Sequence, residues 1–370
     1  MTNNFDIIFV GGGFYSLMFS RLCKHKKTLI FEKSDDIGGT CKGEKYNNIN
    51  INTYGPHIFH TNKKEIWDII NSIDTFENYN HSVYSKIGDK LYSLPINLLT
   101  LNEVFNIGVP HEASKYFKEL PQRNNKISFE DLAINSIGEE LYNLFIKGYS
   151  IKNWNTDLKD LSPELFKRIP VRTIINTNYF NCKYCGIPKR YDWNSFINKI
   201  PTNNTTIRLS EFIDINRLGE LRSYKKSNKS KIIVTSPIDE FFEYKFGKLD
   251  YITTNFITRY INNTEYYQGN SVINYPELRI PFIRSTEYKH FDQHDIENTV
   301  VQFEYKIKNG NYIKTNPIIT DNNIKLYNKY KEYAESNYND IIFAGRLGEY
   351  KYYDMDNIIE QVINQISLLY

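Results

Sequence analysis

The chain opens with a continuous apolar run, a glycine-rich turn, a helix-like segment and a second apolar run. Residues 5–10 read FDIIFV and residues 28–32 read TLIFE, and both runs are typical of buried strands. Between them, Leu17, Met18 and Leu22 fall on one face of a helix. The pattern therefore predicts a strand–helix–strand unit, the building block of parallel sheets.

Three later apolar runs predict further strands of the same layer. They read TTIRL at 205–209, KIIVTS at 231–236 and DIIFAG at 340–345. Residues 97–152 instead show a helical pattern, and residues 250–320 alternate apolar and polar positions as antiparallel strands do. We therefore expect an α/β layer that is discontinuous in sequence, with other elements inserted between its strands.

The helical stretch carries a start signal. Ser128 precedes the run FEDLAINSI and is followed by Asp131 three residues later. A serine that bonds the backbone of the residue three positions on, with an acid that bonds back, is a capping box. The spacing predicts that a helix begins directly after Ser128.

Composition narrows the functional classes. The chain has 370 residues, 41% of them hydrophobic, and a net charge of +3, which gives no sign of a nucleic-acid partner. No apolar run approaches the roughly 20 residues of a membrane span. The opening residues lack the features of a signal peptide. The expectation is a cytoplasmic protein of two or three domains, with neither nucleic acid nor a membrane as partner.

Four cysteines are too few for a disulfide framework in a chain of this length. Cys182 and Cys185 form a CxxC pair in NCKYCGIP. Zinc needs four ligands, and no second CxxC or histidine pair supplies the others, so no metal site is expected. The pair is left as either a coincidence of spacing or a redox couple.

The first turn carries a dinucleotide-binding pattern. Gly11, Gly13 and Ser16 form G-x-G-x-x-S between a predicted strand and a predicted helix. The glycines permit a tight turn and close approach of a pyrophosphate to the helix N-terminus. Glu32 ends the second strand, where an acid accepts hydrogen bonds from ribose hydroxyls. The alternative is an ordinary strand-to-helix turn.

A second glycine pair, Gly38 and Gly39, follows the acid. This order resembles the glutathione-reductase-like FAD proteins, in which a late strand returns beside the flavin ring. The run IIFAGR, followed by a helix beginning near DMDNII, fits that late element. Gly345 would let backbone approach the ring, and the helix N-terminus would favour negative charge there.

A set of longer blocks then occurs in order along nearly the whole chain. They read YGPHIFHTN (54–62), LYSLPIN (91–97), IKGYSIKNW (146–154), KRIPVR (167–172), TSPIDEFFEYKFG (235–247), YQGNSVINY (267–275) and AGRLGEYKYYDMD (344–356). Together they closely resemble the UDP-galactopyranose mutase family.

The resemblance implies an α/β fold in three parts. The first is a discontinuous FAD-binding, Rossmann-like domain over residues 1–85, 201–247 and 325–370. The second is an inserted helical domain over 96–165, with a substrate lid near 154–172. The third is an antiparallel β-sheet domain over 86–95, 173–200 and 248–324.

The resemblance also implies an isomerase reaction. The family interconverts UDP-galactopyranose and UDP-galactofuranose through an adduct between flavin N5 and the sugar, without net redox change. FAD must be in its reduced form, which calls for an external reductant such as NAD(P)H. The partner is a small nucleotide sugar, and a homodimer is a family-level expectation.

Residue roles carry over where the motifs match. Catalytic roles are implied for His60, Arg168, Arg284 and Arg346. Substrate binding is implied for Tyr149, Trp154, Tyr179, Asn270, Tyr305 and Tyr352. Cofactor binding is expected at Gly11, Gly13, Phe14, Glu32, Lys33, Gly39, Thr40, His57, Gly345, Arg346, Tyr353, Asp354 and Met355. With 30 tyrosines in the chain, one or two of the tyrosine roles are expected to be ordinary packing.

Departures from the family pattern leave the sugar open. Thr40 stands where the family has asparagine, KRYDW follows GIP, and FEYK replaces a stretch resembling REYP. The nucleotide and diphosphate positions match better than those around the sugar. The alternative substrates are UDP-N-acetylgalactosamine and dTDP-fucose, because pockets that read hydroxyl groups discriminate strongly.

Two functions of other classes compete with the mutase. A redox flavoenzyme of the same fold would need an apolar substrate tunnel and would consume reductant or oxygen. A nucleotide-sugar-binding protein without catalysis would bind UDP tightly and show no turnover. The retained arginines and His60 favour the mutase over both.

Overall fold

The computed structural model describes residues 4–123 and 128–370. Residues 1–3 and 124–127, which fall within the expected domain ranges, lie outside the described residues. The strands are β1 (Ile7–Val10), β2 (Thr28–Phe31), β3 (Gly43–Tyr46), β4 (Ile49–Asn52), β5 (Phe59–Thr61), β6 (Phe76–Asn78), β7 (Val83–Ile87), β8 (Lys90–Leu94), β9 (Tyr184–Pro188), β10 (Thr205–Arg208), β11 (Lys231–Val234), β12 (Tyr251–Ile261), β13 (Val272–Asn274), β14 (Arg284–Glu287), β15 (Thr299–Lys308), β16 (Lys314–Pro317) and β17 (Ile341–Phe343).

The α-helices are α1 (Phe14–Leu22), α2 (Lys64–Asn71), α3 (Leu98–Phe105), α4 (Pro110–Lys118), α5 (Phe129–Ile137), α6 (Glu139–Leu141), α7 (Gly148–Trp154), α8 (Glu164–Lys167), α9 (Trp193–Lys199), α10 (Leu218–Ser223), α11 (Ile238–Phe241), α12 (Asp321–Asn337), α13 (Gly345–Gly348) and α14 (Met355–Leu369). A π-helical turn over Tyr142–Lys147 joins α6 to α7. None of the helices in the described residues is long and apolar enough to cross a membrane.

The α/β layer is the predicted parallel sheet. Its described strands lie in the order β10-β2-β1-β11-β17, and every pairing is parallel. The strands come from widely separated parts of the chain, which confirms the discontinuous α/β layer. Apolar clusters cover both faces, as the continuous apolar runs of β1 and β2 require.

The second large sheet has seven described strands. Its described strands run in the order β16-β12-β15-β14-β13-β7-β8. All neighbours are antiparallel except β13 and β7, which run parallel, so the sheet is mixed and not purely antiparallel. The long strands β12 and β15 coincide with the alternating runs YITTNFITRYI and NTVVQFEYKIK.

One segment differs from the expected sheet assignment. Within residues 173–200, strand β9 pairs with β5 and β6 in a separate small sheet, and not with the mixed sheet. Gly186 explains the close fit, because a Cβ there would lie 2.5 Å from the Glu77 carbonyl oxygen and 2.7 Å from the Trp67 ring. The other domain bounds remain a prediction.

The helical part begins as the capping pattern predicts. Ser128 Oγ accepts from the Asp131 backbone N–H at 3.2 Å, and the Asp131 carboxylate accepts from the Ser128 backbone N–H at 3.2 Å. Helices α3 to α8 enclose their own apolar core, which includes Leu101, Ile137 and Phe145. This core is separate from the clusters on the parallel sheet.

Lys152 ties the helical part to the mixed sheet. Its Nζ donates to four carbonyl oxygens of the loop between β13 and β14, those of Tyr275, Glu277, Ile280 and Phe282, at 2.5–3.1 Å. Gly148, one turn earlier, packs so closely that a Cβ would lie 2.1 Å from the Pro276 carbonyl oxygen. The lysine satisfies the backbone of a loop that leads directly into β14 and Arg284.

We expect Lys152→Met to lower the free energy of unfolding by about 2–4 kcal/mol, because four carbonyls lose a charged donor. Urea denaturation of the purified protein measures this change. Lys147→Met is the matched control, since Lys147 is exposed on the preceding turn, and it should shift stability by less than about 0.5 kcal/mol. Equal stability of the two variants would show that the loop does not depend on Lys152.

Candidate active site

The carboxyl ends of the parallel strands open into a long cleft with about 1180 Å³ of empty space, including its open mouth. Eleven of the residues expected to bind cofactor line it: Gly11, Gly13, Phe14, Glu32, Lys33, Gly39, Thr40, Gly345, Arg346, Tyr353 and Met355. His57 and Asp354 are not among the lining residues. The cleft lies where open α/β sheets bind nucleotides.

The first turn fits a dinucleotide. Gly11 has a φ of +108°, and a Cβ there would lie 2.4 Å from Thr235 Oγ1, so glycine is required. Ser16 replaces the third glycine without strain, because its buried Oγ donates to the Gly11 carbonyl oxygen at 2.6 Å. The substitution therefore leaves the turn intact.

Glu32 is held in place at the cleft wall. Its two carboxylate oxygens accept from the Gly12 backbone N–H at 2.7 Å and the Ser34 backbone N–H at 2.8 Å. Gly345, with a φ of +72°, lines the same cleft from the end of β17. The acid, the glycines and the cleft together fit the ribose, pyrophosphate and ring of a flavin dinucleotide.

A second group of residues, here called the cation–aromatic cluster, comprises Tyr149, Trp154, Arg168, Tyr179, Arg284, Glu304, Lys306, Arg346 and Tyr352. Its centre is the Tyr352 ring. The guanidinium carbon of Arg168 lies 3.9 Å from the ring centroid and that of Arg346 lies 4.9 Å from it. Trp154 meets the same ring edge-on at 6.4 Å between centroids.

Arg346 connects the cluster to the cleft. It lines the cleft and also donates to the Tyr353 carbonyl oxygen, to the Thr315 carbonyl oxygen at 3.2 Å and to Asn316 Oδ1 at 3.1 Å. In the described part of the chain it forms no ion pair with a carboxylate. Its positive charge is therefore uncompensated by any acid.

Arg284 lies on β14 opposite Glu304 on β15. Glu304 forms ion pairs with both Arg284 and Lys306, so two cations share one carboxylate. Burial alone would raise the pKa of Glu304, but the charges of Arg284 and Lys306 lower it to about 2. Burial lowers the pKa of Lys306, and the Glu304 charge acts in the opposite direction. While Lys306 holds its proton, the trio carries a net positive charge.

Two phenols lie beside this trio. Burial raises the pKa of both the Tyr149 and the Tyr179 hydroxyls, and in each case the Arg284 charge acts in the opposite direction. Both phenols therefore stay protonated and can donate hydrogen bonds to an anion near Arg284. Tyr149 lies on α7 just after the π-helical turn, and Trp154 ends that helix.

Asp354 and Arg168 form an ion pair across the cluster's edge. Asp354 also caps the N-terminus of α14, where an acid stabilises the helix dipole. Side chains alternate along this segment: Tyr352 lies at the centre of the cluster and Asp354 at its edge, whereas Tyr353 and Met355 line the cleft. Asp354 is not among the residues that line the cleft, so its expected place beside the flavin stays a prediction.

His60 and His57 occupy different surroundings. The His60 ring stacks on Phe180 with centroids 3.9 Å apart, and burial lowers its pKa. The His57 backbone N–H donates to Asn52 Oδ1 at 3.1 Å and to the Tyr191 hydroxyl at 2.8 Å. Its ring lies edge-on to Trp193, with centroids 5.9 Å apart, and its buried Nδ1 finds no hydrogen-bond partner among the described residues.

Two expected substrate contacts are not brought together with the cluster. Tyr305 lies between Glu304 and Lys306 on β15, so its side chain points to the opposite face, where it meets Phe282. The Asn270 side-chain amide is occupied by hydrogen bonds within the protein. Its Oδ1 accepts from Ser82 Oγ at 2.9 Å, and its Nδ2 donates to the Ser82 carbonyl oxygen at 2.8 Å.

Sequence reasoning missed Glu304, Lys306 and the buried His81. Side chains alternate between the two faces of a strand, so Glu304 and Lys306, which flank Tyr305, must lie on the face opposite to Tyr305. This alternation would have identified them. His81 sits near Tyr179, with ring centroids 5.6 Å apart. Burial, followed by the Arg284 charge, lowers its pKa to about 3. Nothing in its sequence context marks it.

The surroundings of His57 predict a specific sensitivity to acid. Burial, followed by the Arg346 charge, lowers its pKa from 6.5 to about 4. The unfolded chain therefore binds this proton more readily than the folded one. The stabilising contribution is complete above pH 6.5 and is lost as pH falls toward 4.

We expect the unfolding free energy of the wild type to fall between pH 7 and pH 5 by about 2 kcal/mol more than that of His57→Gln. Urea denaturation at several pH values measures the two slopes. His111→Gln, at the exposed start of α4, is the control and should keep the wild-type slope. Parallel slopes for wild type and His57→Gln would contradict the account.

Comparison with known proteins agrees with this geometry. Residues 144–352 match the family model for UDP-galactopyranose mutase, and residues 10–73 match that for an NAD(P)-binding Rossmann-like domain. A Klebsiella pneumoniae protein described as "Probable UDP-galactopyranose mutase" is 34% identical, with 98% of this chain and 94% of the relative covered. A dTDP-fucopyranose mutase of Escherichia coli is 31% identical, with 98% and 97% covered.

Solved structures show the same fold. A crystal structure of reduced UDP-galactopyranose mutase superposes with a TM-score of 0.74 at 15% identity, covering 99% of this chain and 96% of that one. A putrescine oxidase superposes less closely, with a TM-score of 0.58 at 9% identity and 99% of each chain covered. The curated mutase relatives are isomerases, and the Rossmann-like cleft supports a flavin cofactor. The chain belongs to the UDP-galactopyranose mutase family.

Proposed function

We propose that the protein interconverts UDP-galactopyranose and UDP-galactofuranose, with FAD bound in the cleft and used in its reduced form. The observation that carries the proposal is the cation–aromatic cluster beside a dinucleotide-type cleft. Arg346 belongs to both, because it lines the cleft and stacks on Tyr352. A ligand held by the cluster therefore lies next to the cofactor.

The cluster suits a diphosphate. Its four cations, Arg168, Arg284, Lys306 and Arg346, face two paired carboxylates, those of Asp354 and Glu304. The excess positive charge is available to a nucleoside diphosphate. When the bond between the sugar and the diphosphate breaks, negative charge gathers on the departing oxygen. Preorganised cations and phenol donors stabilise that charge more in the transition state than in the substrate.

The aromatic members suit the nucleotide and the sugar. Tyr149 and Tyr179 present phenols near Arg284, and Trp154 presents its ring beside Tyr352. We assign the first two to the uridine diphosphate end and Trp154 to the sugar side. We assign to Glu304 and Lys306 the diphosphate-side position that was first expected for Tyr305. We assign Asn270 a structural role, because its amide links the start of β7 to β13.

When bound and reduced, for instance by NAD(P)H, the flavin supplies a nucleophile for the anomeric carbon. The protein's part is to hold the two ligands in contact and to stabilise the diphosphate. Glu32 and the glycine turn fix the dinucleotide, and the helix N-terminus of α14 adds a positive dipole end near the cleft. The pKa of His60 is lowered by desolvation, and its ring stacks on Phe180.

A second substrate has its own support. The dTDP-fucopyranose mutase of E. coli matches almost as well as the K. pneumoniae relative, at 31% against 34% identity over the same share of this chain. UDP-N-acetylgalactosamine is the third candidate. A redox flavoenzyme is less well supported, because a cluster with excess positive charge selects an anion and not an amine.

The function is tested by incubating the purified protein, with dithionite-reduced flavin, with the furanose form of each of the three candidate nucleotide sugars. Products are separated by chromatography. We expect UDP-galactofuranose to be converted to UDP-galactopyranose with a higher kcat/KM than either dTDP-fucofuranose or the N-acetylated sugar. A higher value for dTDP-fucofuranose would transfer the assignment to that substrate, and no conversion of any member would reject the mutase.

Arg284→Met should reduce kcat/KM for UDP-galactofuranose by roughly 100-fold or more, because a preorganised cation is lost from the diphosphate site. The FAD content per protein should stay at the wild-type value, since Arg284 does not line the cleft. Arg259→Met is the control in the same sheet, on strand β12, which is separated from β14 by β15; Arg259 is exposed above Phe303. It should leave both readouts unchanged.

An Arg284→Met protein that loses FAD together with activity would place the arginine in cofactor binding or folding. Full activity would remove it from the diphosphate site. Either result contradicts the assignment.

A further inference from the structure

Cys182 and Cys185 remain outside the proposed reaction. Cys185 lies on β9, directly opposite His60 on β5 in the strand register, and Cys182 lies in the bend just before the strand. The two thiols share a hydrogen bond. The structure therefore places both thiols of the CxxC pair beside each other at one cavity.

The pair is accessible, unlike the other cysteines of the chain. Both thiols line a polar cavity with about 710 Å³ of empty space, including its open mouth, together with Asn80, His81, Asn178 and Lys183. Both side chains are partly exposed, whereas Cys23 and Cys41 are buried, with 0% and 6% relative exposure. A small reagent can therefore enter the cavity and reach these two sulfurs selectively.

A metal is not the reason for the pair. Within residues 4–123 and 128–370, no three or more histidine, cysteine and acidic side chains are grouped to hold a metal ion. Two thiolates alone leave the four-coordinate site of zinc incomplete. Reversible disulfide formation is the other chemistry that uses two neighbouring thiols at an accessible cavity.

The two thiols also differ as a redox couple requires. The hydrogen bond from Cys185 lowers the pKa of the Cys182 thiol, and the same contact, followed by burial, raises the pKa of Cys185. The thiolate is the nucleophile in exchange with a disulfide. Cys182 is thus suited to attack, and Cys185 to resolve.

We propose that the cavity beside β9 is a redox-active dithiol site, in which a low-molecular-weight disulfide such as glutathione disulfide oxidises Cys182 and Cys185 to an intramolecular disulfide. The Cys182 thiolate attacks one sulfur of the small disulfide, which releases one thiolate and leaves a mixed disulfide on Cys182. Cys185 then loses its proton and attacks Cys182 Sγ, which releases the second small thiolate. The protein loses two electrons and two protons, and the small disulfide becomes two thiols.

The position gives the oxidation a consequence for the neighbouring loop. Phe180, two residues before Cys182, stacks on His60, and the Tyr179 backbone N–H donates to the His81 carbonyl oxygen at 2.6 Å. A disulfide would join β9 to the loop that carries the Tyr179 and Phe180 rings. Oxidation would therefore constrain the chain just after Tyr179, which is a member of the cation–aromatic cluster.

The test uses the full-length flavoprotein equilibrated with a series of reduced-to-oxidised glutathione ratios. After acid quenching and alkylation, intact mass and peptide mapping count the free thiols. We expect Cys182 and Cys185 of the wild type to become resistant to alkylation together as the ratio becomes more oxidising. Cys23 and Cys41 should stay reduced and should be alkylated once the protein is denatured. Cys185→Ser should accumulate a stable glutathione adduct on Cys182, and Cys182→Ser should remain largely unmodified.

Three results would overturn the proposal. In the first, both thiols stay reduced at every glutathione ratio. In the second, the wild type accumulates glutathione adducts but forms no intramolecular disulfide. In the third, Cys182→Ser accumulates an adduct on Cys185, while Cys185→Ser accumulates none on Cys182. The readout involves neither sugar nor flavin turnover. A negative mutase assay would therefore leave this result standing, and the reverse also holds.

Discussion

The interaction on which the site depends is the set of hydrogen bonds made by Arg346. This one guanidinium binds the Tyr353 carbonyl oxygen, the Thr315 carbonyl oxygen and Asn316 Oδ1, and lies over the Tyr352 ring. It thereby joins the end of the parallel sheet to strand β16 of the mixed sheet. The flavin-type cleft and the cation–aromatic cluster lie side by side because this arginine holds the segment between them.

Electrostatics then separates the two halves by function. The cleft wall carries Glu32, whose carboxylate is fixed by two backbone N–H groups, and in the proposed function this acid faces a ribose. The cluster places Arg284 and Lys306 around the single carboxylate of Glu304, and in the proposed function these cations face a diphosphate. Lys152 contributes at a distance, because it fixes the loop that leads into β14. The cluster is thus assembled from both sheets and the helical part.

Much of this was predictable from local patterns. The strand–helix–strand unit, the Ser128 capping box, the long strands β12 and β15 and the cleft-lining glycines follow from periodicity and turn chemistry, which act over a few residues. The placement of Tyr305, Asn270 and β9 did not follow. Whether Tyr305 faces the cluster depends on which face of β15 is turned inward, and the pairing of β9 depends on the close contact at Gly186. Such choices are made by partners distant in sequence, and a motif match carries no information about them.

The most direct test of the central claim is an anaerobic assay of UDP-galactofuranose conversion in which product and reductant are counted in the same reaction. If the protein is a flavin-dependent isomerase, flavin reduced once by dithionite should support many turnovers without further reductant, and oxidised flavin should support none. One equivalent of reductant consumed for each product formed, or equal conversion with oxidised flavin, would contradict the account.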